Sequence, residues 1–491
     1  MAARGTPARA PPPALALAAV LAALAAVPAR ARGLHAPFNA SEHAPFLATG
    51  PGCGDLCVGG QHRFYRVRLN GSGTLDVDVI GLPGTGPVTL IHYDGDPPPT
   101  PVPVLESVCA NGTVPPQDCQ RYREWLTGGP GKNVTRVCGY NGGQPRCWGV
   151  RSNGSVVDLG PGDHFAPRAL GGGGGEGKAL LVNSSLFTTH NPNRGNAPQR
   201  ARRRDPGGLG LRWYPHCDKS TPPGLIALGA NTSGLVHLPD PDGGSGRVYF
   251  FFTAGPGGTG GCGGVRGPCL GSVCAGDCTV DGQSHSRWPT WSHAGLRCTG
   301  DDGDPLLDVA DPAPGPGGQP TLFALFGSGG NVSVCAYPGD DLRRHFGNTS
   351  RVGASGGTPA PPLGRCPDGN TPGDKARLGE AHPRLTDDVA PWGGGPLFTA
   401  TGPHSHLVAG AGGDNTTVLV LGGPGGPLLL ARLEPNGTLS GPPQPLPRSL
   451  PHQPLLALAL GAGGNGVFGA TNGSVLYVPF GAGDAPTPAP M

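Results

Sequence analysis

The sequence predicts an all-β fold assembled from many short strands. Three observations carry that expectation. Short apolar runs rich in β-branched and aromatic residues recur along the chain, glycines and Asn-Gly pairs separate them, and no long apolar pattern at helical spacing occurs. Short strands joined by tight turns over about 450 residues point to a β-propeller, the all-β architecture of suitable size.

The runs come in order as His62–Leu69, Thr74–Ile80, Val88–Tyr93, Ala179–Val182, Arg247–Thr253, Thr321–Phe326, Val332–Tyr337, Thr417–Leu421, Leu428–Leu433, Leu455–Leu460 and Ser474–Val478. Asn-Gly pairs stand at Asn70, Asn111, Asn141, Asn153, Asn436, Asn465 and Asn472. Both residues of such a pair tolerate positive φ, so each pair predicts a two-residue hairpin turn. Val248-Tyr-Phe-Phe-Phe252 is the most aromatic run outside the N-terminus, in a chain with only 6% aromatic residues. Apolar runs of this kind bounded by glycine read as buried core strands.

Composition pulls the other way. Gly 90 and Pro 60 out of 491 residues resemble a low-complexity chain. The 14 cysteines and the recurrent apolar runs argue for a folded one. A net charge of +2 gives no ground for nucleic-acid binding.

The N-terminus reads as a secretory signal over residues 1–31. Arg4 and Arg9 precede an apolar run from Ala14 to Val27, followed by Ala29-Arg-Ala31. No later apolar stretch reaches membrane-spanning length, and residues 481–491 read as a polar, disordered tail. Twelve Asn-x-Ser/Thr sequons occur, at Asn39, Asn70, Asn111, Asn133, Asn153, Asn183, Asn231, Asn331, Asn348, Asn415, Asn436 and Asn472. Sequons spread along a signal-bearing chain predict an extracellular glycoprotein. An even cysteine count in that compartment predicts disulfides.

The window from Tyr249 to Cys298 resembles the centre of a semaphorin (sema) domain. Val273-Cys-Ala-Gly-Asp277 and Arg287-Trp-Pro-Thr-Trp-Ser-His-Ala-Gly-Leu-Arg-Cys298 follow the aromatic strand in family order. Cys278 and Pro289 depart from the family, and Pro289 should leave its strand locally irregular. Further landmarks are similar: Ser107–Tyr122, Thr135–Cys147, Leu211-Arg-Trp213, Val332–Phe346, Gly364-Arg-Cys-Pro367, Ala381-His-Pro383 and Gly473–Pro479. The stretch from Asp158 to Gly210 matches poorly.

The resemblance implies a disulfide-bonded, seven-bladed propeller over residues 32–480. It also implies the pairs Cys109–Cys119, Cys138–Cys147, Cys274–Cys366 and Cys298–Cys335. The other six cysteines leave several connectivities open, with Cys53–Cys57, Cys262–Cys269 and Cys217–Cys278 as the working set.

Candidate chemistry was weighed against plainer readings. Gly258-Thr-Gly-Gly-Cys-Gly263 matches a dinucleotide-loop pattern, but no helix pattern follows it. Cys53 with Cys57, and Cys274 with Cys278, have possible metal spacing, yet disulfides fit an exported chain better. His404-Ser-His406 reads as an exposed loop. Asp301-Asp-Gly-Asp304 and Asp387-Asp388 read as solvated turns. Trp213, Trp288 and Trp291 read as core packing. The run Arg200-Ala-Arg-Arg-Arg204 is the one dense positive stretch. Its roles would be a cleavage site, a heparan sulfate contact or a receptor contact, against a solvated loop at Arg200, Arg202, Arg203 and Arg204. No sialidase box or nucleophile elbow occurs, so an enzyme is not expected and no cofactor is implied.

The overall resemblance is to a secreted viral semaphorin. It implies a ligand for a host plexin receptor that alters immune-cell adhesion, migration or signalling. Receptor contacts would fall near residues 190–300, and sema domains engage plexins as homodimers. The alternative is a soluble decoy that sequesters a host semaphorin or cytokine. A propeller hydrolase ranks last.

Overall fold

The computed structural model describes strands and turns between residues 34 and 480, most continuously from 231 onward. Residues 1–33, 38–45, 90–102, 105–120, 124–133, 162–178, 189–198, 203–218, 221–230, 254–266, 277–289, 353–363, 367–383, 447–453, 481–491 and several shorter connections lie outside the described residues.

Seven antiparallel sheets of four or five strands follow one another along the described chain, beside one two-stranded ribbon. Sheet 1 holds Phe46–Ala48, Leu56–Gly59, Phe64–Leu69 and Leu75–Ile80. Sheet 2 holds Arg121–Arg123, Val134–Asn141, Gln144–Arg151 and Val156–Pro161. Sheet 3 holds Ala179–Val182, Ser185–Thr188, Gln199–Arg202 and Lys219–Ser220. Sheet 4 holds Asn231–Leu238, Arg247–Thr253, Pro268–Cys274 and Ser292–Gly295. Sheet 5 holds Leu306–Val309, Pro320–Ser328, Asn331–Pro338 and Phe398–Thr401, with Ala313–Pro314 at its side. Sheet 6 holds His406–Ala411, Thr417–Gly422, Leu428–Leu433 and Gln444–Leu446. Sheet 7 holds Leu455–Leu460, Gly466–Thr471 and Ser474–Pro479. Its fourth strand is Leu34–Pro37, from the other end of the chain. Of the expected run Val88–Tyr93, Val88–Thr89 pairs with Pro103–Val104 in the ribbon, and residues 90–93 lie outside the described residues.

The most apolar runs are explained by burial on both faces. In Arg247–Thr253, Tyr249 and Phe251 enter a core shared with sheet 5, while Val248, Phe250 and Phe252 enter one shared with sheet 3. Thr321–Phe326 behaves alike: Leu322, Ala324 and Phe326 face sheet 4, and Phe323 and Leu325 face sheet 6. In sheet 6, Leu419 and Leu421 face sheet 5, and Val418 and Val420 face sheet 7. A strand with partners on both faces needs no polar alternation. Sheet 7 packs on sheet 1 through Phe468, Ala470 and Val475 against Val58, Tyr65 and Val67. Sheet 1 packs on sheet 2 through Phe64 and Ile80 against Trp148 and Val150. Trp291 is buried as expected and meets Phe250 edge-on, with centroids 5.3 Å apart. Gly271 gives its indole room, because a Cβ there would lie 2.3 Å from Trp291 Cη2.

Two of the Asn-Gly turns differ from the expected two-residue type, whereas Thr471 pairs directly with Ser474 across the pair at Asn472, as expected. At Asn153-Gly154, the Gly154 N–H donates to Arg151 O at 2.8 Å, and Arg151 N–H donates to Ser155 O at 2.9 Å. Asn436-Gly437 repeats the pattern, with Gly437 N–H on Glu434 O at 2.8 Å and Glu434 N–H on Thr438 O at 2.8 Å. Each loop has three residues, and within each Asn-Gly pair the glycine alone takes positive φ, 81° at Gly154 and 87° at Gly437. The asparagine instead uses its carboxamide oxygen to accept the N–H of the second residue on, at 2.9 Å in both turns.

Phe250 is fully buried between two sheets. Phe250→Ala is expected to lower unfolding stability by about 3–5 kcal/mol. Urea unfolding checks this, and a loss below about 1 kcal/mol would contradict the two-faced packing.

Candidate interaction surface

The fourth strand of sheet 5 does not follow directly from the third. The chain leaves Asn331–Pro338, makes a long excursion against sheet 4, and returns at Phe398–Thr401. The excursion opens with helix α1, Gly339–Asn348. Pro338 precedes its first turn, and Asp340 and Asp341 lie in that turn, where the helix dipole favours negative charge. Leu342 and Phe346, four apart, are buried against sheets 4 and 5. Asp340 pairs with Arg343, and Asp341 pairs with Arg344 at 2.8 Å, both at i,i+3 spacing. The helix ring Phe346 meets Tyr249 edge-on, with centroids 5.7 Å apart.

Farther along, Arg384–Val389 runs beside the outer strand of sheet 4. His293 bridges Arg384 and Leu296 bridges Val389, both in parallel sense. Leu385 N–H donates to His293 O at 2.8 Å, Val389 N–H to Gly295 O at 2.8 Å, and Arg297 N–H to Val389 O at 3.0 Å. Arg297 Nε and Nη2 both reach Asp388 Oδ2 at 2.8 Å. An edge strand with open N–H and C=O groups invites pairing with another chain, and the excursion covers this one. Tyr337 Oη donates to Arg297 O at 2.6 Å from sheet 5.

Two disulfides fasten the same region. Cys298 and Cys335 join sheets 4 and 5, and Cys274 joins Cys366 of the excursion, with Cα atoms 5.7 and 5.5 Å apart. Arg247 is buried beside Cys274 and donates to Gly364 O at 3.1 Å. Burial pushes its guanidinium pKa down, opposed by Tyr249 and Asp240. Burial likewise pushes the Tyr249 phenol up to about 12. The exposed side of the latch is a mixed-charge surface that includes Asp341, Arg344, Asp387 and Arg297. Among the described residues no group of three His, Cys, Asp or Glu side chains is arranged to hold a metal.

The remaining sequence-predicted residues are placed as follows. Cys53 and Cys57 are disulfide-bonded, with Cα atoms 4.7 Å apart. Cys138 and Cys147 stand directly opposite in the register of sheet 2. Cys269 is disulfide-bonded, while Cys262, Cys109, Cys119, Cys217 and Cys278 lie outside the described residues. Asn153, Asn331, Asn348, Asn415 and Asn436 are exposed, and Asn70 is half-buried. Asn39, Asn111, Asn133, Asn183 and Asn472 lie outside the described residues, and Asn231 opens the first strand of sheet 4.

Several plainer readings need correction. Arg200 and Arg202 sit in a strand, paired with Phe187 and Ser185, rather than in a loop; Arg203 and Arg204 lie outside the described residues. Asp388 is an ion-paired part of the latch rather than a solvated turn residue. His404 is buried, not exposed, because the chain turns inward before the strand His406–Ala411. Neither of its ring nitrogens has a hydrogen-bond partner of good geometry among the described residues. Helix α1 stands where the sequence predicts only strands and turns. Its signal was available in the Leu342/Phe346 spacing behind two aspartates. The loop 258–263, Trp213, Trp288, Pro289 and the expected signal and tail lie outside the described residues.

Replacing both Cys298 and Cys335 with alanine is expected to cost about 2–5 kcal/mol, read by denaturant unfolding under non-reducing conditions. Acid is expected to weaken the fold through its buried histidines. Burial lowers the pKa of His237, His345 and His404, although backbone partners at Ser245, Asp387 and Thr401 oppose it. The unfolded chain, with ordinary values near about 6.5, then binds protons first as pH falls. Their contribution is complete above that value and is lost as pH drops below it. Urea midpoints between pH 7.5 and 5 check this (~ range around the imidazole value), and His404→Phe should flatten the decline.

No known protein-family profile matches the chain. Among curated proteins it is 31% identical over 471 residues to the apoptosis regulator MC163R of molluscum contagiosum virus subtype 1, covering 87% of this chain and 70% of that protein. Among solved structures it is similar to Drosophila Semaphorin 2a, with a TM-score of 0.63 at 16% identity over 92% of this chain and 75% of that one. It is also similar to a chain of the complex of Drosophila Plexin A with Semaphorin 1b, with a TM-score of 0.59 at 16% identity over 91% of this chain and 86% of that one. The chain therefore has the disulfide-bonded, all-β sema-domain fold and belongs to the family of the viral regulator MC163R.

Proposed function

We propose that the protein is a secreted, glycosylated semaphorin-like ligand that binds a host plexin and modulates immune-cell adhesion, migration or signalling. The observation that carries this reading is likeness over most of the chain to semaphorin extracellular structures, one of them solved together with a plexin. The name of the viral relative, an apoptosis regulator, adds cell survival to the outputs worth reading.

In this reading the seven sheets are the blades of one propeller, and Leu34–Pro37 closes the ring within the last blade. The packed cores between sheets 1 and 2, between each successive pair from sheet 3 to sheet 7, and between sheets 7 and 1 support it. Residues 1–31 are the export signal, residues 32–480 the propeller and 481–491 a tail. The sequon asparagines carry glycans, and the protein works by contact rather than catalysis. The Arg200–Arg204 stretch contributes to a receptor or heparan sulfate contact. Homodimerisation through a face left free of glycans would cluster the receptor.

A second reading is a soluble decoy that captures a host semaphorin or cytokine. The presence of plexin in the matched complex favours keeping it, since ligand and receptor meet there. Binding of the glycosylated, secreted protein to plexin ectodomains, with sedimentation of the same sample, separates the two. Saturable binding to one plexin is the expected result. Binding to a semaphorin and to no plexin would favour the decoy and overturn the ligand reading.

A further inference from the structure

Two sequons with exposed asparagines place their hydroxyl residue inside the fold. Ser333, the third residue of the sequon at Asn331, is buried at 8% exposure in the third strand of sheet 5. Its neighbours in register are Phe326 on one side and Thr399 on the other. Thr417, the third residue of the sequon at Asn415, is buried at 3% exposure. Its hydroxyl donates to the carbonyl of Pro314, 103 residues earlier in the chain. Asn331 and Asn415 themselves are exposed.

The turn sequons are built the other way. Asn153 and Asn436 are exposed, and so are Ser155 and Thr438. Thr438 Oγ1 donates to its own Asn436 Oδ1 at 2.7 Å, and both of these acceptor residues are exposed at a hairpin. Two buried hydroxyls elsewhere repeat the first pattern. Ser233, of the sequon at Asn231, donates to Leu306 O at 3.2 Å, and Ser474, of the sequon at Asn472, lies 2.7 Å from Thr471 Oγ1.

Resting on the reading that the chain is exported and glycosylated, we infer that Asn331 and Asn415 accept glycan only before their strands join the sheets, whereas Asn153 and Asn436 remain acceptors in the folded protein. The chemistry requires the distinction. Transfer forms a bond from the asparagine carboxamide nitrogen to the anomeric carbon of a lipid-diphosphate-linked oligosaccharide. The bond from that carbon to the diphosphate breaks, the lipid diphosphate leaves with the electron pair, and the carboxamide releases one proton. The transferase selects the acceptor through the Ser or Thr two residues on. A hydroxyl buried in a sheet, as at Ser333 and Thr417, cannot be read without pulling out the strand, which breaks ladder hydrogen bonds and exposes core. For Asn415 the window is short, because Pro314 has already been synthesised when Thr417 emerges.

The test uses the full secreted chain made with glycosylation blocked. It is incubated with purified oligosaccharyltransferase and lipid-linked oligosaccharide, once with disulfides intact and once after reduction and denaturation. Glycopeptide mapping reads each site. The expected result is modification of Asn153 and Asn436 in both samples and of Asn331 and Asn415 only in the unfolded one. Equal modification of Asn331 and Asn415 in folded protein would overturn the inference. Modification of no sequon in the unfolded chain would overturn it together with the glycoprotein reading. A second measurement avoids unglycosylated material. Slowing disulfide formation in cells with dithiothreitol should raise occupancy at Asn331 and Asn415 relative to Asn153 and Asn436, and an unchanged ratio counts against the inference.

Discussion

Two-sided burial of the middle strands is the constraint on which the rest of the structure depends. A sheet with one wet face reads as alternating apolar and polar residues, whereas a sheet held between two neighbours must be apolar on both. Arg247–Thr253 meets that demand with its first six residues buried. Its side chains divide between two cores, one toward sheet 3 and one toward sheet 5. Each fully buried aromatic or aliphatic side chain contributes about 1.5–3 kcal/mol relative to exposure. Since sheet 1 and sheets 4 to 7 each share a core with both neighbours, none of them can be removed without exposing both. The same logic gives the N-terminal strand Leu34–Pro37 its place, because sheet 7 has only three strands from its own stretch of chain.

Sheet edges are the price of such an architecture, and sheets 4 and 5 manage theirs together. The excursion from sheet 5 covers the outer strand of sheet 4 with backbone hydrogen bonds, one ion pair and the buried side chains Leu385 and Val389. The ion pair itself is half-exposed and adds little by itself. The covalent ties do more, because each disulfide limits how far the unfolded chain can spread. Helix α1 is held in this setting by Leu342 and Phe346, so its stability comes from packing and not from length.

The exposed side of these residues is a surface of mixed charge. Buried polar groups near it, such as Arg247 and Tyr337, donate to backbone carbonyls and hold loops in place. The charges at its exposed rim, Asp341 with Arg344 and Asp388 with Arg297, are mutually paired. Rim charges of this kind set partner choice and encounter rate more than raw affinity. Likeness to semaphorin structures at 16% identity carries the fold, and function on a shared fold resides in such surfaces.

Much of this was legible in the residues. Runs such as Thr321–Phe326 and Thr417–Leu421 state their strands directly, because apolar content and β-branching respond to burial whatever the neighbour. The Asn-Gly pairs at Asn153 and Asn436 marked real turns, although local sequence did not reveal that glycine alone would take the positive φ. Family landmarks pointed to the cysteines of the latch. Other features depended on groups far apart in the chain. His404 reads as polar and exposed until Gly423 and Gly426, on a later turn, come against it. Asp388 reads as a solvated turn until Arg297, 91 residues away, meets it. Thr417 reads as part of a surface sequon until Pro314 accepts its hydroxyl. Sequence by itself determined which segments were apolar enough to become strands, since that is a property of neighbouring residues. Only the tertiary structure decided which side chains lose water, because desolvation depends on what another part of the chain brings to the same place.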